Sequence, residues 1–254
     1  QIKKAIEDGT SFYKLVIKVK NEIVAYGMDK DSYNMDKVGT HLDPADFNKQ
    51  LSIPGSIVVD IRNHYESEVG RFKGAIVPDV DRSQELLEEV KSMLDGKENN
   101  KILLYCTGGI RCEKASAYLI KNNFKDVNQL KGGVVNYANQ VKKKNLESKF
   151  IGKNFVFDAR MGERITQDII SGCHQCKQKA DSHINCANDL CHLLFIQCNT
   201  CSQKFLGCCS IECLNFYNLD DRMKAINKQE FLDYNSKRLN GQVKPKLYDI
   251  LKLD

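Results

Sequence analysis

The chain has 254 residues, of which 42% are hydrophobic and 28% are charged, so it is long enough to form one or two hydrophobic cores. No apolar run approaches the roughly 18 residues that a membrane-spanning helix needs, which argues against a membrane protein. The net charge of +5 is compatible with a nucleic-acid partner but is too small to indicate one by itself.

The first 40 residues predict a β-hairpin and a polar connector. Apolar and polar residues alternate from Leu15 to Val19, and a second apolar pair follows a short turn, which predicts a hairpin over residues 12–26. The chain begins with Gln1 rather than Met, and the hairpin has no obvious partner. We therefore expect residues 1–40 to be the remnant of an N-terminal domain and a connector.

Residues 41–145 predict alternating strands and helices. Short apolar runs predict strands, and apolar residues on one face predict helices between them. Such βαβ units form an α/β fold with a parallel sheet and helices on both faces, and ligands bind beyond the carboxyl ends of its strands. The predicted strands are Ser56–Ile61, Ile102–Tyr105 and Val127–Leu130, and the predicted helices are Pro44–Leu51, Leu86–Leu94 and Glu113–Asn122.

The loop from Cys106 to Cys112 follows a predicted strand and is the strongest indication of function. A small glycine-containing loop at the start of a helix directs N–H groups and the positive end of the helix dipole at its centre, which acidifies a thiol. We predict that Cys106 is the reactive residue, as a thiolate or a persulfide. Arg111 either contacts an anionic group or braces the loop. Cys112 either forms a disulfide with Cys106 or packs at the helix start.

Several polar side chains follow the first of these strands. Asp60 and Arg62 are predicted to form an ion pair that supports the site, with direct catalysis by Asp60 as the alternative. Glu66 and Glu68 do not by themselves make an acid–base pair. His64 is interpreted as a polar loop residue.

Residues 146–254 predict a small cysteine-rich domain that begins with a strand at Phe155–Asp158 and ends in a polar helical tail from Asp220. Two C-x-x-C spacings are typical of zinc sites, and disulfides or an iron–sulfur or redox role are the alternatives. Without a secretory signal in the sequence, a reducing cytoplasm is the expected location. Eight cysteines would fill two structural zinc sites whose pairing the spacing does not decide: Cys173, Cys176, Cys186, Cys191, Cys198, Cys201, Cys208 and Cys213.

Residues 41–145 resemble the rhodanese family. The segment Val59-Asp60-Ile61-Arg62 resembles the family's strand-end Asp and Arg pair, and Gly70–Ala75 resembles its G-H-x-x-G-A segment with Arg71 in place of the histidine. Cys106–Arg111 matches the loop C-x-x-G-x-R, in which the cysteine forms the persulfide. Gly132-Gly133 resembles the closing G-G motif.

A closer resemblance is to the bacterial rhodanese-like tRNA uridine hydroxylases. It is based on the cysteine cluster and on the amino-acid sequences of four segments, which are Cys106–Ser116, Phe150–Asp158, Arg160–Arg164 and Leu193–Cys198. In that family an N-terminal domain precedes the rhodanese domain, and a cysteine-rich domain follows it. The resemblance implies oxygen-dependent conversion of the wobble uridine, position 34 of tRNA, to 5-hydroxyuridine, with tRNA as the partner.

Three functions compete at the level of sequence. The sequence carries no flavin or NAD fingerprint and no 2-His-1-carboxylate signature, so nothing in it indicates the electron source of a hydroxylase. The loop alone favours the alternative, a thiosulfate-type sulfurtransferase that works through a Cys106 persulfide. A non-catalytic scaffold is the third reading, against which the intact Cys106 counts. The sequence does not indicate the oligomeric state.

Overall fold

A computed structural model describes residues 24–80 and 82–239, together with Ile17 and Val19. The predicted hairpin therefore lies mostly outside the described residues, as does the end of the polar tail beyond Leu239. The chain divides into two compact units, Gln1–Asp168 and Ile169–Asp254. Within the described residues, no helix combines the length and the apolar character needed to cross a membrane.

The elements alternate through the first unit and become shorter in the second. A short 3₁₀ helix, Lys30–Ser32, precedes the first strand. The strands of the first unit are β1 (Thr40–Leu42), β2 (Ile57–Asp60), β3 (Gly70–Phe72), β4 (Lys101–Tyr105), β5 (Asp126–Leu130), β6 (Phe150–Asn154) and β7 (Glu163–Arg164). Its helices are α1 (Pro44–Leu51), α2 (His64–Glu68), α3 (Ser83–Met93), α4 (Ile110–Lys121) and α5 (Gly133–Lys144). The second unit contains β8 (His183–Asn185), β9 (Leu194–Ile196), α6 (Asn199–Phe205), α7 (Ile211–Tyr217) and α8 (Asp221–Leu239).

The main sheet of the first unit is parallel, with the strand order β1-β5-β4-β2. Successive side chains of a strand point to opposite faces, so Val59 and Leu104 pack into one core with residues of α3 and α4. Val58 and Leu103 pack into a second core with residues of α1 and α5. The predicted α/β fold, a parallel sheet with helices on both faces, is confirmed.

A second sheet, antiparallel and in the order β3-β6-β7, extends the first unit beyond the predicted boundary at residue 145. The predicted strand at Phe155–Asp158 is wrong, because the strand is β6 and ends at Asn154. Gly152 lies within β6 with a φ of +89°, and a Cβ there would lie 2.2 Å from the Val69 carbonyl oxygen. A glycine inside a strand weakens the apolar pattern, which is why the sequence did not indicate this strand.

Two further segments differ from the expectation. The residues before β1 are more than a connector, since Tyr26 is buried in the core beside α3 and α4, and the Lys114 ammonium donates to the Val24 carbonyl at 2.6 Å. His64 is buried at the start of α2 rather than in a polar loop, with its Nδ1 3.0 Å from the Val80 carbonyl oxygen. Both contacts join residues that are distant in sequence.

Candidate active site and metal-binding sites

Cys106 lies at the carboxyl end of β4, immediately before the turn that starts α4. Its Sγ accepts the backbone N–H of Gly109 at 3.0 Å. Gly109 has a φ of +93°, a conformation that L residues rarely adopt, and it starts the helix next to the sulfur. The structure thus places Cys106 at a helix N-terminus, as the sequence predicts.

The surroundings of Cys106 favour its thiolate. Burial raises the pKa of the thiol, but the S–H of Cys112, the charge of Arg111 and the backbone N–H groups of Cys112 and Gly109 lower it to about 5. Burial and the neighbouring Cys106 raise the pKa of Cys112, so Cys112 stays protonated and donates. At neutral pH the pair is therefore a thiolate beside a thiol.

The G-G motif, Gly132-Gly133, packs against the backbone of the cysteine loop. Gly133 has a φ of +67°, and a Cβ there would lie 2.5 Å from the Cys106 carbonyl oxygen. The first N–H groups of α5 then bond the loop, with Val134 donating to the Cys106 carbonyl at 2.9 Å and Val135 to the Thr107 carbonyl at 3.1 Å. Glycine is required here because the two backbones are in contact.

Arg111 braces the loop through a carboxylate. Its guanidinium forms a two-point ion pair with Glu66, at 2.5 Å from Nη1 to Oε1 and 2.7 Å from Nη2 to Oε2, and Nη2 also donates to the Thr107 hydroxyl at 3.2 Å. Burial raises the pKa of Glu66, but the Arg111 charge and hydrogen bonds outweigh it and lower the pKa. No local sequence pattern indicates this pair, because Glu66 lies 45 residues before Arg111. A contact between Arg111 and a ligand stays a prediction.

Asp60 and Arg62 form a fully buried ion pair under the second sheet. Arg62 donates from Nε and Nη2 to the two oxygens of Asp60 at 2.8 and 2.6 Å, and from Nη2 to the Gly70 carbonyl at 2.7 Å. The hydroxyls of Tyr105 and Ser67 also donate to Asp60. Since both residues are 0% exposed, the geometry favours the supporting role over direct catalysis by Asp60.

A cavity of about 710 Å³ opens beside the cysteine loop and shares Gly108 and Gly109 with it. Polar side chains also line it, among them His41, Glu113 and Gln129. Glu113 accepts from Gln129 at 3.0 Å and lies 2.8 Å from His41 Nε2. The cavity is large enough for a nucleotide, because ligand pockets commonly measure roughly 300 to 1,000 Å³.

In the second unit, eight cysteine sulfurs form two groups of four, each with its sulfurs within 4.8 Å of one another. Both groups could hold a metal ion, as predicted for this region. One group combines the two C-x-x-C turns: Cys173, Cys176, Cys198 and Cys201. The other contains Cys186, Cys191, Cys209 and Cys213.

The second group corrects the predicted ligand Cys208. The structure places the sulfur of Cys209 in the group and leaves Cys208 outside it. Cys209 lies one turn before Cys213, its Sγ is 3.5 Å from that of Cys213, and its N–H donates to Cys186 Sγ at 3.4 Å. Cys208 is fully buried in the core of the unit. Neighbouring residues point in different directions, so only one of the two can take the ligand position.

Arg238 of α8 contacts the second group. Its Nη2 lies 3.2 Å from Cys191 Sγ and 3.5 Å from Cys209 Sγ, and it donates to Asn235 Oδ1 at 2.7 Å. A guanidinium at this distance would offset part of the negative charge of four thiolates if they held a metal ion. The sequence indicated only a polar helical tail here.

Comparison with known proteins identifies the family. A family model of the rhodanese-like domain matches residues 43–140, and a model described as Rhodanase C-terminal matches residues 151–214. The tRNA uridine(34) hydroxylase of Leptospira interrogans serovar Lai is 51% identical over 252 residues, which cover 98% of this chain and 68% of that protein. The chain belongs to the tRNA uridine(34) hydroxylase family.

Two other members of the family are equally similar to this chain, with a smaller share of each protein aligned. The tRNA uridine(34) hydroxylase of Pectobacterium carotovorum is 51% identical and is covered to 67%, with 89% of this chain aligned. That of Yersinia enterocolitica is also 51% identical, with 82% of this chain and 59% of that protein aligned. The chain therefore spans about three fifths to two thirds of the length of these relatives. Both cysteine groups fall within the Rhodanase C-terminal match.

Proposed function

We propose that this chain carries the catalytic part of an enzyme that hydroxylates uridine 34 of tRNA to 5-hydroxyuridine. The observation that carries the proposal is the 51% identity to a tRNA uridine(34) hydroxylase over 98% of the chain. The region of that identity includes the reactive loop with its acidified cysteine. We expect the enzyme to act in the cytoplasm and to use molecular oxygen as co-substrate.

The reactive group of this proposal is the Cys106 thiolate. A thiolate that adds to C6 of uracil makes C5 electron-rich, so that C5 can bond to an oxygen atom derived from O₂. Loss of the C5 proton and of the sulfur from C6 then restores the ring and the thiolate. The overall balance is uridine, O₂, two electrons and two protons giving 5-hydroxyuridine and water, so an external two-electron donor is required.

The neighbouring side chains have supporting roles in this step. The two-point contact with Glu66 fixes Arg111, whose charge favours the thiolate over the thiol. The Cys112 thiol donates a hydrogen bond to the thiolate. The same hydrogen bond stabilises the thiolate that forms again when the sulfur leaves the base. The cavity beside Gly108 and Gly109 offers space for the nucleotide.

We propose that both four-cysteine groups bind structural zinc. Zinc takes four thiolates at about 2.3 Å in a tetrahedron, which sets sulfur–sulfur distances of about 3.8 Å. The sulfurs of Cys176 and Cys198 lie 3.6 Å apart, and those of Cys191 and Cys209 lie 3.7 Å apart. When bound, the ion would stabilise a unit in whose core cluster four of the eight buried residues are cysteines.

A thiosulfate-type sulfurtransferase is the second candidate, because the same thiolate at a helix N-terminus can accept a sulfane sulfur. The rhodanese-like domain match over residues 43–140 favours it at the level of the fold. Incubation of the protein with thiosulfate and cyanide separates the two functions. Thiocyanate formation with turnover in the absence of RNA would support the sulfurtransferase.

The test of the proposed function is the wobble modification of tRNA in cells with and without this gene. Mass spectrometry of digested tRNA should find 5-hydroxyuridine, or a nucleoside made from it, only in cells that have the gene. Equal amounts in both strains would refute the proposal. A plasmid copy of the gene, which should restore the nucleoside, is the control for indirect effects of the deletion.

A further inference from the structure

One face of the antiparallel sheet β3-β6-β7 is made almost wholly of basic side chains. Side chains alternate along a strand, and the inward positions of this sheet, such as Phe72 and Phe150, are buried. Within the strands the outward positions are Arg71, Ile151, Lys153 and Arg164, and Lys73 and Lys149 continue the alternation one residue beyond β3 and β6. Of these six described positions five are basic and none is acidic. We call the five the basic face: Arg71, Lys73, Lys149, Lys153 and Arg164.

Four of the five basic residues lie opposite one another across the strands, and Arg71 lies opposite Ile151. Lys153 is the direct partner of Arg164, and the N–H of Lys73 bonds the Lys149 carbonyl at 3.0 Å, which continues the ladder by one more pair. Like charges directly opposite each other destabilise a sheet. Two such pairs on one face, with the pair Arg71 and Ile151 between them, indicate a surface arranged for an anionic partner rather than for stability.

Main-chain oxygens help to hold the two arginines in place. Arg71 donates to the Ser67 carbonyl at 3.3 Å, and Arg164 donates to the Thr166 and Asp168 carbonyls at 3.2 and 3.3 Å. Glu147 contacts Lys149 at 2.7 Å from an exposed position at the rim. The guanidiniums are thus positioned in advance, which reduces the entropy lost on binding.

We propose that the basic face binds the phosphodiester backbone of tRNA. Alternate residues of one strand lie roughly 7 Å apart, and neighbouring strands lie about 4.8 Å apart, so the five cations form a short two-dimensional array that matches a chain of phosphates. The face has only one apolar residue, which disfavours a hydrophobic protein interface. This inference rests on the proposed function for the identity of the RNA, and it adds a binding surface separate from the cysteine loop.

The test measures tRNA binding by the purified protein at several salt concentrations. In the double variant Lys73→Gln/Lys153→Gln, two phosphate contacts are lost, so Kd should rise roughly tenfold to fiftyfold at 0.1 M salt and the slope of log Kd against log salt should fall by about 1.4 to 1.8. The charge-conserving variant Lys73→Arg/Lys153→Arg should bind like the wild type. The matched control Lys91→Gln/Lys97→Gln removes two exposed charges elsewhere in the same unit and should also bind like the wild type.

Each other result overturns the inference. A Kd within threefold of the wild type for Lys73→Gln/Lys153→Gln excludes the basic face, and so does an equal loss in the control pair. If the double variant instead loses only its binding to vesicles that contain anionic lipid, the face recognises a membrane surface. A hydroxylation activity that depends on Cys106 while all variants bind tRNA alike would leave the proposed function intact and refute this surface alone. Wild-type protein that binds no tRNA would count against both.

Discussion

The hydrogen bond from Cys112 to Cys106 gives a quantitative prediction. In Cys112→Ala the thiolate loses its side-chain donor, which is the largest of the causes that lower the pKa of Cys106 to about 5. A hydrogen bond to a charged group contributes about 1.5 to 3 kcal/mol, and 1.36 kcal/mol corresponds to one pKa unit. The pKa of Cys106 should therefore rise to about 6 or 7 in this variant. Cys112→Ser keeps a donor at the same place, so it should leave the pKa near its wild-type value.

The assay is the pH dependence of alkylation at Cys106, followed by mass spectrometry of its peptide so that the other ten cysteines do not contribute. Only the thiolate reacts, so the rate should rise with pH through the pKa and then level off. The inflection should lie near pH 5 in the wild type and at about pH 6 to 7 in Cys112→Ala. An unchanged inflection in Cys112→Ala would show that Cys112 does not stabilise the thiolate. An equal shift in Cys112→Ser would show that packing, and not the donor, sets the pKa.

Two further predictions concern the ion pair between Glu66 and Arg111 and the two four-cysteine groups. Glu66→Gln leaves the guanidinium of Arg111 without its buried counter-charge, which should cost about 3 kcal/mol and lower Tm by roughly 10 °C in a thermal melt. Glu147→Gln, at an exposed ion pair, should leave Tm unchanged, and equal melts for the two variants would contradict the account. Cys209→Ser should reduce the zinc content from about two ions per chain to about one, as measured by elemental analysis. Cys208→Ser should keep both ions, and the opposite result would restore Cys208 as the ligand.

The features that the sequence predicted are those encoded over short distances. The loop from Cys106 to Arg111 and the two C-x-x-C turns each fix their geometry within a few residues, so their chemistry follows from the local sequence. The parallel sheet could also be predicted from the sequence, because its strands are short apolar runs between helical patterns.

The features that the sequence did not predict depend on contacts between distant segments. Glu66 meets Arg111 only because α2 and α4 follow neighbouring strands of the folded sheet. The choice of Cys209 over Cys208 depends on which way the chain turns before α7, a question that spacing alone leaves open. The basic face required the register of β3, β6 and β7, which places residues from three segments side by side.

The role of Cys106 is tested by the amount of 5-hydroxyuridine at position 34 when the only copy of the gene encodes Cys106→Ser. The nucleoside should fall to the level of the deletion strain, since serine at this position would not ionise near neutral pH and would not add to C6. Cys208→Ser, at a buried cysteine outside the loop and outside both metal groups, should retain the wild-type amount. Wild-type hydroxylation in Cys106→Ser would contradict the claim that this cysteine carries the reaction.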